Sequence, residues 1–167
     1  MFFHSFPVKI DISSDLKRLI YSYLLQSMYS INVYTDGGAR GNPGPAAIGA
    51  VIKTEPVNKT YRISQKIGLT TNNDAEYQAV LAALTFLKDS KNKLGINEKT
   101  VINFYSDSTL IVNQIKGLFK IKQPLFKEYI LKIRYLEKEI KTDIYYHAIP
   151  REKNWEADRL VNLALDG

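Results

Sequence analysis

A chain of 167 residues, 45% hydrophobic and 24% charged, is long enough to bury a core as one domain and is neither disordered nor fibrous in composition. It has no cysteine, which excludes a disulfide framework and thiolate metal sites and fits an intracellular, cytoplasmic setting. No apolar run reaches the ~18 residues of a membrane span, and the formal charge of +6 favours a polyanionic partner without identifying one.

Residues 1–30 read as an N-terminal extension and residues 31–167 as the main domain. Within the extension, "SSDLKRLIYSYLLQSMYS" predicts a short helix, with Ser13, Ser14 or Asp15 as N-cap and Leu16, Ile20, Tyr23 and Leu24 on one face. The opening "MFFHSFP" lacks the basic start and sustained apolar stretch of a secretory signal. Few acids and several serines suit an organelle transit peptide, but Arg18 is the only arginine there. Two readings stand: an accessory helix packing on the domain, or a partner-binding or targeting segment. The only methionines are Met1 and Met28, and the domain begins just after the second.

The next elements alternate with period two. Residues 31–36, 46–53 and 59–67 predict three strands in an antiparallel meander. The pattern then changes to helical spacing over residues 73–88, with Val80, Ala83, Leu84 and Leu87 on one stripe. "TVINFYS", residues 100–106, predicts a strand buried on both faces. Helices follow over residues 109–115 and 124–141, the second opened by Pro124. A last strand over 143–149 and a last helix over "NWEADRLVNLALD" complete the order β-β-β-α-β-α-α-β-α. The expected class is α/β: a mixed five-stranded sheet, three strands antiparallel and then two parallel, flanked by helices.

Between the first two strands, "TDGGARGNPGP" holds four glycines, two prolines and one carboxylate, Asp36. One reading is a turn, since Gly, Asn and Pro make turns. The other is a carboxylate at a strand end, beside bare backbone, that suits a metal ion and a bulky anionic substrate. Asp107 ends the fourth strand; Glu76 and Asp158 lie in the first turns of two helices. Each alone is explained as a turn former or as a helix N-terminal acid. Strand carboxyl ends and returning helix N-termini share one edge of a parallel sheet, so all four can converge. Convergent carboxylates repel unless a cation is present or some are protonated. An all-oxygen set points to Mg²⁺ or Mn²⁺, and two ions about 4 Å apart would clamp both oxygens of a phosphoryl displacement.

The motifs "YTDGGARGNPGPAAIGAV", "TTNNDAEYQAVLAAL", "FYSDSTLIVNQIKG" and "HAIPREKNWEADRL", in that order over residues 31–165, resemble type 1 ribonuclease H. The resemblance implies a ribonuclease H-like fold and a metal-dependent endoribonuclease that hydrolyses the RNA strand of RNA–DNA hybrids. It places the metal-binding, catalytic acids on Asp36, Glu76, Asp107 and Asp158. It implies two ions, Mg²⁺ or Mn²⁺, one lowering the pKa of an attacking water and one stabilising the leaving 3′ oxygen, with 5′-phosphate and 3′-hydroxyl products. Gly37 and Gly38 then let a nucleic-acid backbone approach the metal acid. Asn42 matches a minor-groove contact, Asn72 and Asn73 the family's "TNN" pair, and Thr71 a residue near a DNA phosphate. Asn72 also reads as a helix cap and Asn42 as a turn residue.

Three departures from the family pattern stand out. "GLFKIKQPLF" runs almost directly into the next helix, as in forms lacking the basic protrusion; Lys116, Lys120 and Lys122 either supply part of that positive surface or are solvated loop lysines. The mobile histidine of many members falls on Ala148, with His147 beside it on the opposite face of an alternating strand, so Arg151 is the better candidate to approach the scissile phosphate. A family glutamine is Thr109 here. The expected partner is an RNA–DNA hybrid, with no membrane, no protein partner specified, and a monomer. Alternatives are an inactive hybrid- or duplex-binding module, a nuclease or integrase of the same fold, and an RNase H-like enzyme that also cuts double-stranded RNA.

Overall fold

The computed structural model describes residues 13–27 and 29–167, with side chains for 13–20 and 29–167. The expectations placed on "MFFHSFP", Met28, and the side chains of Tyr23 and Leu24 fall outside these. A first helix, α1 (Ser14–Ser27), forms where "SSDLKRL" predicts it, with Ser13 Oγ accepting from the Leu16 N–H. Leu16 and Ile20, from the expected packing face, are exposed, as is Leu19.

Period-two alternation becomes three antiparallel strands: β1 (Ser30–Ala39), β2 (Gly44–Glu55) and β3 (Lys59–Thr70). Then come α2 (Asn72–Asp89), a single turn α3 (Lys91–Leu94), β4 (Val101–Ser106), α4 (Thr109–Ile115) and α5 (Pro124–Ile140). The chain ends with β5 (Asp143–Ala148), a 3-10 turn at Arg151–Lys153, and α6 (Trp155–Asp166). The five strands lie in the order β3-β2-β1-β4-β5, with β1–β4 and β4–β5 parallel, as expected for the class. Residues 116–123 link α4 to α5 without a helix, the form lacking a protrusion. Among the described residues, no helix is long and apolar enough to cross a membrane.

The two faces of the sheet are unlike. Alternate residues of β1 and β4 (Ile31, Val33, Ile102 and Phe104) pack with Tyr77, Leu84 and Leu87 of α2, Ile111 and Ile115 of α4, and Ile133 and Ile140 of α5. Each such aliphatic side chain contributes about 1.5–3 kcal/mol by leaving water. Inside this core, the Tyr77 hydroxyl donates to Gln114 Oε1 at 2.9 Å and the Tyr146 hydroxyl to Glu137 Oε1 at 2.8 Å, so both polar tips are satisfied. On the other face, α6 covers the β1–β3 side through Ala157 and Val161. Beyond α6, Tyr34, Tyr105 and His147 stack across β1, β4 and β5, with centroids 4.9 and 5.1 Å apart.

β2 extends two residues beyond the expected 46–53 at each end, several other ends shift by one residue, and three differences have a visible cause. β1 does not end at Asp36 but runs to Ala39, because its antiparallel ladder with β2 continues to Ala39–Ala46 after the parallel ladder with β4 has stopped at Tyr34–Tyr105. β3 continues to Thr70 through a bulge at Gly68, whose φ of +87° only glycine adopts readily. The cap of α2 is Thr71, whose side chain accepts from the Asp74 N–H at 3.3 Å, and not Asn72.

Glycine at position 49 is a packing requirement. A Cβ there would sit 2.4 Å from the Ala157 carbonyl oxygen and 3.0 Å from Leu160 Cβ, so α6 rests directly on the β2 backbone. The substitution Gly49→Ala is therefore expected to lift α6 and lower the unfolding free energy by about 1–3 kcal/mol. Urea denaturation checks this, and an unchanged midpoint would show that α6 tolerates displacement.

Candidate active site

The strands that carry Asp36 and Asp107 separate at the site. β1 and β4 are paired up to Tyr34 and Tyr105; Asp36 lies two residues past that point and Asp107 one residue past the end of β4. Ladder bonds to β2 keep the Asp36 backbone straight, opposite Gly49. The opening lies at the carboxyl ends of two adjacent parallel strands, where open α/β sheets form their crevices.

Glu76 arrives from the α2 face. A Cβ on Gly37 would lie 2.1 Å from the Ala75 carbonyl carbon and 2.3 Å from the Glu76 nitrogen, so helix and strand touch backbone to backbone. The paired glycines, which line the cleft, thus have a packing role as well. Gly37 is bare so that α2 can approach, and a Cβ on Gly38 would meet Val161 Cγ1 of α6 at 3.1 Å. Both positions face the protein's own helices. Asp158 arrives from the α6 face, one residue after Ala157, which rests on Gly49.

Asp36, Glu76 and Asp107 each offer a carboxylate oxygen, all within 4.8 Å of one another. Asp158 lines the same cleft, of roughly 350 Å³, but is held to one side. Its Oδ1 accepts from Arg151 at 3.0 Å and its Oδ2 from Asn162 Nδ2 at 3.0 Å. Burial, and then the charges of Asp107 and Asp158, push the Asp36 carboxyl up to about 7; Arg151 and the Gly37 N–H only partly offset this. Burial first, then Asp36 and Asp107, raise Glu76 well above the carboxylate range. Glu76 Oε2 is buried without a hydrogen-bond partner. Oxygen-only donors, mutual repulsion and one buried unsatisfied carboxylate oxygen are what a hard divalent cation satisfies, so these residues fit Mg²⁺ or Mn²⁺.

Several neighbours hold the acids in place. Asn154, 1% exposed, donates from Nδ2 to Asp107 Oδ1 at 2.7 Å and to the Thr35 carbonyl at 3.0 Å, tying α6 to both strands. Sequence reasoning passed over Asn154 and Asn162, although both are four residues from Asp158, on either side of it. A second bracket joins the β1–β2 loop to α2: the Asn72 N–H donates to Asn42 Oδ1 at 3.0 Å, and the Ala39 N–H to Asn72 Oδ1 at 2.8 Å. The "TNN" and "GNPG" asparagines thus fix each other, and Asn73 beside them is exposed. Arg151 lines the cleft, whereas His147 stacks on Tyr105 with Nε2 3.2 Å from Asn103 Oδ1, outside the cleft lining. Lys116, Lys120 and Lys122 are exposed on the α4–α5 connection.

The RNase H family model matches residues 28–165. A bifunctional protein of Mycobacterium tuberculosis is 40% identical over 135 residues, 80% of this chain but 35% of its own length. This chain therefore spans about a third of that relative. A ribonuclease HI of Halobacterium salinarum is 35% identical over 136 residues, 81% of this chain and 64% of that protein. Among solved structures, LC11-RNase H1, isolated from compost by a metagenomic approach, has been seen in complex with an RNA/DNA hybrid. That complex superposes with a TM-score of 0.74 at 47% identity, covering 81% of this chain and 96% of that one.

The crowding of acids has a measurable sign. Asp36 holds its proton to about 7 in the folded chain, against an ordinary value of 3.8. Its contribution to stability is thus full below about 3.8 and lost as pH rises through about 7. With divalent ions chelated, Asp36→Asn is expected to abolish this loss and to stabilise the protein at pH 8 by on the order of 1–3 kcal/mol. Urea unfolding at pH 5 and pH 8 measures it; a variant less stable than the parent at pH 8 would contradict the assignment.

Proposed function

We propose that this chain, which belongs to the RNase H family, is a metal-dependent endoribonuclease that hydrolyses the RNA strand of RNA–DNA hybrids by a two-metal mechanism, leaving 5′-phosphate and 3′-hydroxyl ends. The observation that carries the reading is the convergence of Asp36, Glu76 and Asp107 within 4.8 Å, with Asp158 lining the same cleft. The hybrid-bound relative at 47% identity supports the choice of substrate. An inactive binding module would gain nothing from carboxylates that repel one another and face a polyanion.

Mg²⁺ or Mn²⁺ bound by these four acids would supply Lewis acidity and a water of lowered pKa. The chain's own residues do the rest. Asn154 holds the Asp107 carboxylate and Asn162 the Asp158 carboxylate, so the donors are oriented in advance. The Arg151 guanidinium, 79% exposed and already against Asp158 Oδ1, is placed to bind a non-bridging oxygen of the scissile phosphate. The bracket of Asn42 and Asn72, with the backbone of Gly37 and Gly38, presents a fixed ridge to the minor groove, where 2′-hydroxyls mark the RNA strand. Thr71 and Asn73 extend that ridge along the N-terminus of α2, and Lys116, Lys120 and Lys122 add positive surface. His147 takes no part in proton transfer on this reading, because it is engaged with Tyr105 and Asn103.

A cleft lined by residues of one chain suits a monomer, and a sequence without cysteine suits a reducing cell interior. We assign residues 31–167 as the catalytic unit and residues 1–30 as an accessory extension.

The test is a labelled RNA–DNA hybrid incubated with the protein, with and without Mg²⁺ or Mn²⁺, beside single-stranded RNA, duplex RNA and duplex DNA. Metal-dependent cutting confined to the RNA strand of the hybrid is expected. Replacing any one of the four acids by Asn should cost several kcal/mol of transition-state stabilisation, roughly 100-fold or more in rate. Undiminished cutting in all four variants would refute the site. Tight hybrid binding without cutting would make the chain a binding module, and cutting of duplex RNA or DNA would widen its substrate class.

A further inference from the structure

The cleft has a cation at its rim that none of the motifs assigns. Arg40 follows β1 directly and lines the same cleft as the four acids. Its backbone is fixed: the Arg40 N–H donates to the Pro45 carbonyl at 2.8 Å, and the Ala39 N–H before it donates to Asn72. The hairpin closes tightly around it, since a Cβ on Gly44 would lie 2.1 Å from the Arg40 carbonyl oxygen and Gly41 has a φ of +100°. The head of the side chain is held less firmly. Its guanidinium pairs with Asp166 at the end of α6, and the two side chains are 54% and 63% exposed.

An exposed ion pair of this kind is weak and is screened by salt. A phosphate offers the planar guanidinium a stronger, bidentate partner. The base of Arg40 is thus positioned and its head is readily exchanged. Arg151 is placed in the same manner against Asp158, a carboxylate of the acid cluster. Asp166 lies outside that cluster and its lining of the cleft, so its evident effect is on Arg40 alone.

We propose that Arg40 binds a backbone phosphate of the docked hybrid and that Asp166 is its intramolecular competitor, occupying the guanidinium until the duplex displaces it. The inference rests on the hybrid reading above. It makes Arg40 a substrate-binding residue and Asp166 a brake on affinity.

The two substitutions should act with opposite sign. Binding of a labelled hybrid is measured in an Asp107→Asn background, where cleavage is suppressed, between 50 and 200 mM salt, the range over which phosphate contacts are revealed. Arg40→Ala is expected to weaken binding by about 3–10-fold and to lower the slope of log K against log salt by about 0.9, one phosphate contact. Arg40→Lys should restore the slope. Asp166→Asn should tighten binding by about 2–3-fold and keep the slope. With Asp107 intact, the same changes should appear in KM with kcat little altered. If the pair merely clamps α6, both substitutions will lower the melting temperature and shift binding in the same direction, which overturns the proposal. A parent that binds and cuts hybrid while both variants match it overturns this inference alone. A parent that neither binds nor cuts hybrid removes the hybrid reading and this inference with it.

Discussion

Bringing three partly buried carboxylates within 4.8 Å of one another is unfavourable, and the structure around β1 is arranged to hold them there. Desolvation is the largest cause of the raised pKa at both Asp36 and Glu76, with mutual repulsion second. Among the described residues, no lysine lines the cleft. The compensation from the chain is small: the Gly37 N–H, the Ser106 hydroxyl beside Glu76, and Arg151. A site left so far from electrostatic balance is suited to cations and anionic substrate together, since each lowers the repulsion that the other meets.

Rigid backbone contacts withstand that repulsion. α2 meets β1 at Gly37 and α6 meets β2 at Gly49, in both cases at distances that leave no space for a Cβ. The two helices come from opposite faces of the sheet, so Glu76 and Asp158 reach the end of β1 from two sides. Asn154 then joins the N-terminal end of α6 to Thr35 and Asp107. Every acid stands on an element whose position is set by core packing or by a buried hydrogen bond, which is how a first set of ligands stays oriented.

The rim is built differently from the floor. Arg40 and Arg151 are exposed, and each is paired with a carboxylate in a contact that water and salt weaken. Floor residues are held by packing and buried hydrogen bonds, whereas the rim arginines are held by exposed ion pairs. A polyanion approaching four acids needs such cations, and the overall charge of +6 supplies only a diffuse attraction.

Much of this was legible in the sequence. Period-two alternation and the switch to helical spacing after Thr71 report local backbone preference and burial, which are encoded residue by residue; the run of β4 read as buried on both faces, whereas only alternate residues are buried, because α6 does not extend over that part of the sheet. The shared cleft of the four acids was legible because each lies within a distinctive motif and three of them lie near an element terminus. Other features depended on contacts between residues far apart in the chain. Asp36 looked like a strand end because Gly follows it, yet the ladder with β2 carries β1 on to Ala39. Gly37 and Gly38 read as room for a ligand and do line the cleft, but their missing side chains also admit Ala75, Glu76 and Val161, a packing role that the sequence did not show. Asn72 read as a helix cap, but its side chain is engaged with the Ala39 N–H and Thr71 caps instead. Asn154 and Arg40 carried no sequence signal of their own, because their partners, Asp107 and Asp166, lie 47 and 126 residues away. Local patterning determined which elements form and which motifs carry the acids; only the packing of α2 and α6 onto bare strand backbone decided how close those acids come, because that distance is set between elements and not within them.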